Sequence, residues 1–364
     1  MRSTKACTRF LAALAAVSFL AAAFNVGSGS PAAAAAKKDF NIAWTIYVGW
    51  MPWPYAVDAG IVKKWADKYG ITINVTQIND YVESINQYTA GKFDGVTLTN
   101  MDALTIPAAG GVDTTAIIMG DFSNGNDGVV LKEGKSLADI KGRKINIVEL
   151  SVSHYLLARG LSSVKLKETD IKTVNTSDAD IVAAFKSKDS TAVVTWNPQL
   201  MAVKGEPGVT EVFDSSKIPG EIEDLMAVNT ETLKDNPNLG RALVGIWYET
   251  IALMKDPGDK GKAARESMAK LSGTDLAGFE SQLKTTRMFY TPKDALGFMT
   301  GAEMAKIMDL VRTFCFEHNL LGEKVKSKDA VGIELPNGNV LGAKTNVKLR
   351  FNPTYMKLAA DNKL

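Results

Sequence analysis

The stretch Lys144-Ile-Asn-Ile-Val-Glu-Leu-Ser-Val-Ser-His-Tyr-Leu-Leu-Ala-Arg-Gly160 decides the fold. Ile145, Ile147 and Val148 form an apolar, β-branched run suited to a buried strand. From Tyr155 the apolar spacing turns helical, with Leu156, Leu157 and Leu161 on one side. Ser151 and Ser153 stand at the change, where a hydroxyl can cap a first helical turn. A strand running through a polar elbow into a helix places that elbow at the carboxyl end of a sheet. Open α/β folds bind ligands there. A bare helix N-terminus attracts anions, whereas Glu149 at this point suits a cation or a hydrogen-bond donor. A carboxylate that merely favours the helix dipole is the other reading of Glu149, and the elbow by itself does not choose between them.

Working outward, the first 36 residues read as a leader. Arg2, Lys5 and Arg9 precede an apolar run from Phe10 to Val26, and small residues lead to Ala34-Ala35-Ala36. That order is the pattern of a secretory signal peptide cleaved after Ala36. Cys7 lies before the apolar run, so it cannot be the acylated cysteine of a bacterial lipoprotein. Removing the leader takes the formal net charge from +2 to about −1. Neither nucleic acid nor an anionic membrane surface is invited by such a balance. Cys315 is then the one cysteine, so no intramolecular disulfide can form, and its place among Met304, Ile307, Met308 and Val311 suggests a core position. The remaining length exceeds one comfortable core, so two lobes are expected.

Strand and helix alternate from Phe40 to Gly120, which reads as a parallel α/β sheet. The segment 121–128 breaks the rhythm and marks a crossing to a second lobe. Residues 215–224, with Pro219 and Gly220, mark the return. The expected organisation is a leader at 1–36, a first lobe begun at 37–122, a second lobe at 123–220, and a mostly helical return to the first lobe at 221–364. There Leu239, Leu243, Ile246, Trp247 and Met254 share one helix face. From Lys324 onward the pattern is irregular, and no element is assigned.

Enzymatic chemistry finds little footing. His154 and His318 are the only histidines, and no pair has metal-ligand spacing. There is no glycine-rich phosphate loop, and no flanked nucleophile elbow. The 121–128 segment lacks a calcium loop's closing glutamate, because Lys132 stands there. Aromatics and carboxylates gather instead at strand ends. Trp50 and Trp53 follow the first strand, Asp80 the second, and Asn100 and Asp102 the next. Asp121 and Asn124 lie at the crossing, Glu149, Ser151 and His154 at the elbow, and Trp196 and Asn197 close a second-lobe strand. These are the expected ligand-binding residues, since aromatic faces with carboxylates recognise cations.

Several longer stretches carry a family likeness. They are Gly91-Lys-Phe-Asp-Gly95 leading into Thr99-Asn-Met-Asp-Ala-Leu104, Ser151-Val-Ser-His-Tyr-Leu-Leu157, Thr195-Trp-Asn-Pro198, and Asp58-Ala-Gly60 after the aromatic loop. In these the chain resembles the periplasmic solute-binding proteins of nitrate/sulfonate/taurine transporters. Through Tyr47-Val-Gly-Trp-Met-Pro-Trp53, Asn79-Asp-Tyr-Val-Glu-Ser-Ile-Asn-Gln-Tyr88 and Gly120-Asp-Phe-Ser-Asn-Gly-Asn-Asp-Gly128 it looks most like the subgroup associated with urea-carboxylase-type pathways.

The resemblance implies an α/β, two-lobed periplasmic binding protein fold of type II, with two sheets, flanking helices and a two-strand hinge. It implies the substrate-binding component of an ABC importer, a periplasmic monomer without cofactor or metal. Such a protein hands a small nitrogen-rich solute, guanidinium or urea, to a permease and its ATPase in the inner membrane. The alternative ligand is an anion such as taurine, another sulfonate or nitrate. Against an oxyanion stand Glu149 and Asp121, whose charges would repel it in a desolvated cleft. Pyrimidine synthases of the thiamine pathway share the implied fold but rely on a histidine-bearing site, so an enzyme is not expected.

Overall fold

The computed structural model describes residues 36–364, so the expected leader lies outside the described residues apart from Ala36. Along the chain run β1 (Asp39–Trp44), β2 (Thr72–Gln77), β3 (Gly95–Thr99), β4 (Thr114–Ser123), β5 (Asp127–Lys132), β6 (Lys144–Ile147) and β7 (Lys172–Asn175). They are followed by β8 (Ala192–Trp196), β9 (Val209–Asp214), β10 (Glu223–Asn229), β11 (Thr286–Met288), β12 (Gly332–Glu334), β13 (Val340–Leu341) and β14 (Val347–Phe351). Among the described residues these strands form two sheets with flanking helices. The larger has nine strands in the order β13-β12-β14-β4-β10-β3-β1-β2, with β11 paired to the end of β4. The smaller is β7-β6-β8-β5-β9.

Within each sheet β1, β2 and β3, and β6, β7 and β8, run parallel, as strand–helix alternation requires. The expectation of a purely parallel sheet is corrected by β10, which is antiparallel to both β3 and β4, and by β5, which is antiparallel to β8 and β9. The cause is the crossings. Only residues 124–126 separate β4 from β5, and residues 215–222 bring the chain back from β9 to β10. Both crossings leave from the carboxyl end of a sheet, so a strand that begins there must run against its neighbours. Its first residues then sit where ligands bind.

The elbow opens as its hydroxyls suggest. Ser151 caps the helix Val152–Ser163, its Oγ accepting from the Ser153 N–H at 3.2 Å. Leu150 just before it takes a left-handed φ of 64°, an uncommon conformation for a branched residue. The expected stripe on the helix Asn238–Lys255 is buried, and its Trp247 ring lies 5.5 Å from that of Trp53. Gly120 permits that approach, since a Cβ there would stand 2.8 Å from Trp247 Cζ2. Cys315 is buried, which pushes its thiol up and leaves it a core residue.

The tail from Lys324 is not irregular. It supplies β12, β13 and β14 and the helix Thr354–Ala360, and β14 lies parallel to the first half of β4. The short strands carry too few residues for a period to register, and their pairing comes from a partner far away in sequence. Arg350 anchors β14 by donating Nε and Nη2 to Asp113 at 2.9 Å each.

Candidate functional site

A small cavity lies where the carboxyl ends of the two sheets face each other. Tyr47 and Trp50 reach it from the segment after β1, Tyr81 from the start of the helix Tyr81–Thr89, and Thr99 from the end of β3. Asp127 starts β5, Val152 opens the elbow helix, Trp196 ends β8, Ile222 closes the return crossing, and Asp224 lies at the start of β10. Its free interior is about 20 Å³. That is room for the centre of one or two water-sized groups and so for a solute of few heavy atoms.

The rings of Tyr47, Trp50, Tyr81 and Trp196 stand in its walls. Tyr81 and Trp50 have centroids 5.9 Å apart, and Tyr81 meets the edge of Trp196 at 5.5 Å. Tyr81 is fixed by donating its hydroxyl to Asp102 Oδ2 at 2.7 Å and accepting from the Thr99 N–H at 3.0 Å. Its own N–H donates to Asp178 on the β7–β8 connection, at 2.9 Å, and so ties the two sheets together at the cavity. Trp196 faces inward for a register reason: it pairs directly with Asp127 across β8 and β5, and paired residues share a face.

The polar lining is acidic. Asp127 and Asp224 are each 3% exposed, and Asp121, beneath the lining, is fully buried. Asp121 accepts from the Tyr47 hydroxyl at 2.8 Å, and Asp127 accepts from Ser123 Oγ at 2.5 Å. Among the described residues no lysine, arginine or histidine lines the cavity. Burial pushes the Asp127 carboxyl up to about 7 and that of Asp102 up to about 6, in the latter against hydrogen bonds from Tyr81 and Thr99. It also raises Asp121, Asp224 and the neighbouring Glu223. Asp224 Oδ2 and both carboxyl oxygens of Glu223 have no donor in the protein. A buried carboxyl oxygen without a donor is costly unless something else satisfies it. The arrangement can receive a proton or a cation.

Of the residues expected to bind ligand, Trp50 and Trp196 line the cavity, while Asp121 and Asp102 hold Tyr47 and Tyr81 from behind. The others do not line this cavity. Trp53 is core against Trp247. Asp80 caps the helix Tyr81–Thr89. Asn100 is spent on backbone partners at Glu221, Glu223 and Met101. Asn124 is exposed in the crossing.

Glu149 is half-buried, accepts from the Thr173 hydroxyl on β7, and does not line the cavity. The left-handed turn at Leu150 separates it from the helix start. Ser151 is spent on the cap and on the Val148 carbonyl. His154 accepts the Leu150 N–H and turns its other nitrogen to Glu168. Asn197 bonds Met201 and Thr285.

Sequence reasoning missed Tyr47, Asp127 and Asp224 as lining residues. A usable signal existed for the last two. Asp127 heads the apolar run Val129-Val130-Leu131, and Asp224 heads Leu225-Met-Ala-Val228. A carboxylate opening a buried strand needs a partner or a purpose.

The description NMT1/THI5 like belongs to a family model that matches residues 59–257. A Brucella abortus (strain 2308) protein named as a binding protein is 27% identical over 187 residues, which are 50% of this chain and 57% of that protein. An Escherichia coli (strain K12) protein named as aliphatic sulfonates-binding is 24% identical over 197 residues, 54% of this chain and 59% of its own length. The chain thus spans little more than half the length of these curated relatives. Among solved structures, the alkanesulfonate-binding protein of Xanthomonas axonopodis pv. citri, bound to MOPS, superposes with a TM-score of 0.66 at 16% identity. That match covers 80% of this chain and 97% of the other, and at that identity it establishes the shared periplasmic binding protein fold. With a matching model over more than half its length, the chain belongs to the NMT1/THI5-like family.

Proposed function

We propose that the protein is a solute-binding component of an ABC importer that works in the periplasm and takes a small, planar organic cation such as guanidinium. The reading rests on one observation: a cavity walled by Trp50, Tyr81 and Trp196 carries the buried carboxyls Asp127 and Asp224 and no basic side chain among the described residues. Ring faces attract a cation through their quadrupoles. Carboxylates add short charge-assisted bonds to its N–H groups. Urea, being neutral, gains less from both. Delivery to a membrane permease fits the names of the relatives, and catalysis has no candidate nucleophile–base pair in the cavity.

The second reading is an anion such as a sulfonate, and the names of the relatives favour it. Against it, the lining offers an oxyanion no basic side chain among the described residues, and any carboxyl that ionises would repel it.

A thermal-shift and titration panel on residues 37–364 separates the two. Guanidinium chloride at low millimolar concentration, methylammonium, urea, taurine and nitrate would each be added to the same preparation. The cation reading expects stabilisation by guanidinium and none by taurine or nitrate. The reverse pattern overturns it.

A further inference from the structure

Asp121 and Asp224 stand directly opposite each other in the register of the antiparallel pair β4 and β10. Direct partners project from one face, so two carboxyl groups are forced together in the core, fully buried in one case and 3% exposed in the other. That pairing sets the two groups side by side, and the charge of Asp121 helps to raise the Asp224 carboxyl. Tyr47 donates to Asp121 Oδ1, but Oδ2 of Asp121 and Oδ2 of Asp224 have no donor in the protein. Two carboxylates cannot both be ionised in such contact, and a single proton between them resolves it.

Resting on the cation reading, we propose that the site exchanges a proton for its ligand: the unliganded protein holds one proton between Asp121 and Asp224, and the entering cation displaces it to solvent. The O–H bond of the shared carboxyl breaks, the proton passes to water or a buffer base, and N–H groups of the cation donate to the freed oxygens and to Asp127. The charge inside the cavity is unchanged by the exchange. An acidic, cation-free core can therefore fold and still present a negative site on demand.

The surrounding groups leave the proton no competitor. Asp127 faces the pair from β5, Glu223 adjoins it on β10, and Tyr47 comes from the loop after β1. Tyr290 lies beyond β11 and feels the charge of Asp121. Tyr81 and Asp102 bond each other across the cavity wall. All are acids or phenols. Burial raises both members of the pair, consistent with a proton retained near neutral pH.

The experiment is isothermal titration of residues 37–364 with guanidinium chloride at about pH 8, where Asp127 is largely ionised, in buffers of different ionisation enthalpy. About one proton should be released per guanidinium bound. Affinity should fall about tenfold per pH unit below the pair's titration. Asp224→Asn keeps the shape, lets an amide donate to Asp121, and should abolish both the release and the slope. Should that variant fail to fold, the buffer comparison on the parent protein still decides.

Guanidinium binding without proton release overturns the exchange and leaves the cation reading standing. Release that persists in Asp224→Asn overturns the assignment to this pair. Failure of guanidinium and methylammonium to bind, with taurine or nitrate binding instead, overturns both the exchange and the cation reading.

Discussion

Asp127→Asn should stabilise the unliganded protein and weaken its ligand binding, with the first effect growing as pH rises from about 4 to about 7. Asp127 is 3% exposed, and Ser123 Oγ is its hydrogen-bond donor at 2.5 Å. Burial lifts its carboxyl from 3.8 to about 7 in the folded protein. The folded chain therefore keeps a proton that the unfolded chain gives up above pH 3.8, and stability falls as pH rises from there to about 7. A difference of about three units is worth roughly 4 kcal/mol once the group is ionised, as an upper figure.

Asparagine escapes that loss while still accepting from Ser123. Between about pH 5 and pH 8 the variant's advantage should widen by roughly 2–3 kcal/mol, or about 5 °C in Tm for a chain of this length. Guanidinium affinity at about pH 8 should meanwhile fall by roughly 30-fold or more, since disrupting a buried charge pair costs roughly 2–5 kcal/mol. Calorimetry at two pH values and titration with guanidinium chloride measure both. An Asp127→Asn protein whose Tm gap to the parent is the same at both pH values would refute the buried-proton reasoning. Unchanged guanidinium affinity would remove Asp127 from the site.

Two further outcomes follow from where the structure puts particular residues. Glu149→Gln should leave guanidinium affinity within about twofold of the parent and stability within about 1 kcal/mol, because Gln can still accept from Thr173 and the side chain lies outside the cavity. A tenfold loss on titration would return the elbow carboxylate to the site. Gly49→Ala would place a Cβ 2.5 Å from Tyr47 Cε1 and 2.6 Å from Asp121 Oδ2. It should cost about 1–3 kcal/mol in chemical denaturation and weaken guanidinium binding, and binding at parental strength would show that Asp121 is not engaged.

The sequence by itself carried what depends on neighbours along the chain. The β-branched run and capping serines of 144–160 required a strand, an elbow and a helix. Alternating periods required an α/β sheet, and the aromatics at strand ends pointed to Trp50 and Trp196. These follow from propensity, capping and side-chain period, which act within a few residues. The direction of Glu149 did not follow, since a single left-handed angle at Leu150 sets the carboxylate apart from the cavity. Nor did the place of β14, whose partner β4 lies far back in the chain.

Above all, only the tertiary structure could set Asp121 against Asp224. Each residue alone reads as an ordinary aspartate at a strand end. Their confrontation arises because the returning strand β10 enters the first sheet antiparallel, in the register that places the two opposite each other. Register is a property of the pairing and not of either strand, and it converts two carboxylates far apart in the chain into one buried acidic pair.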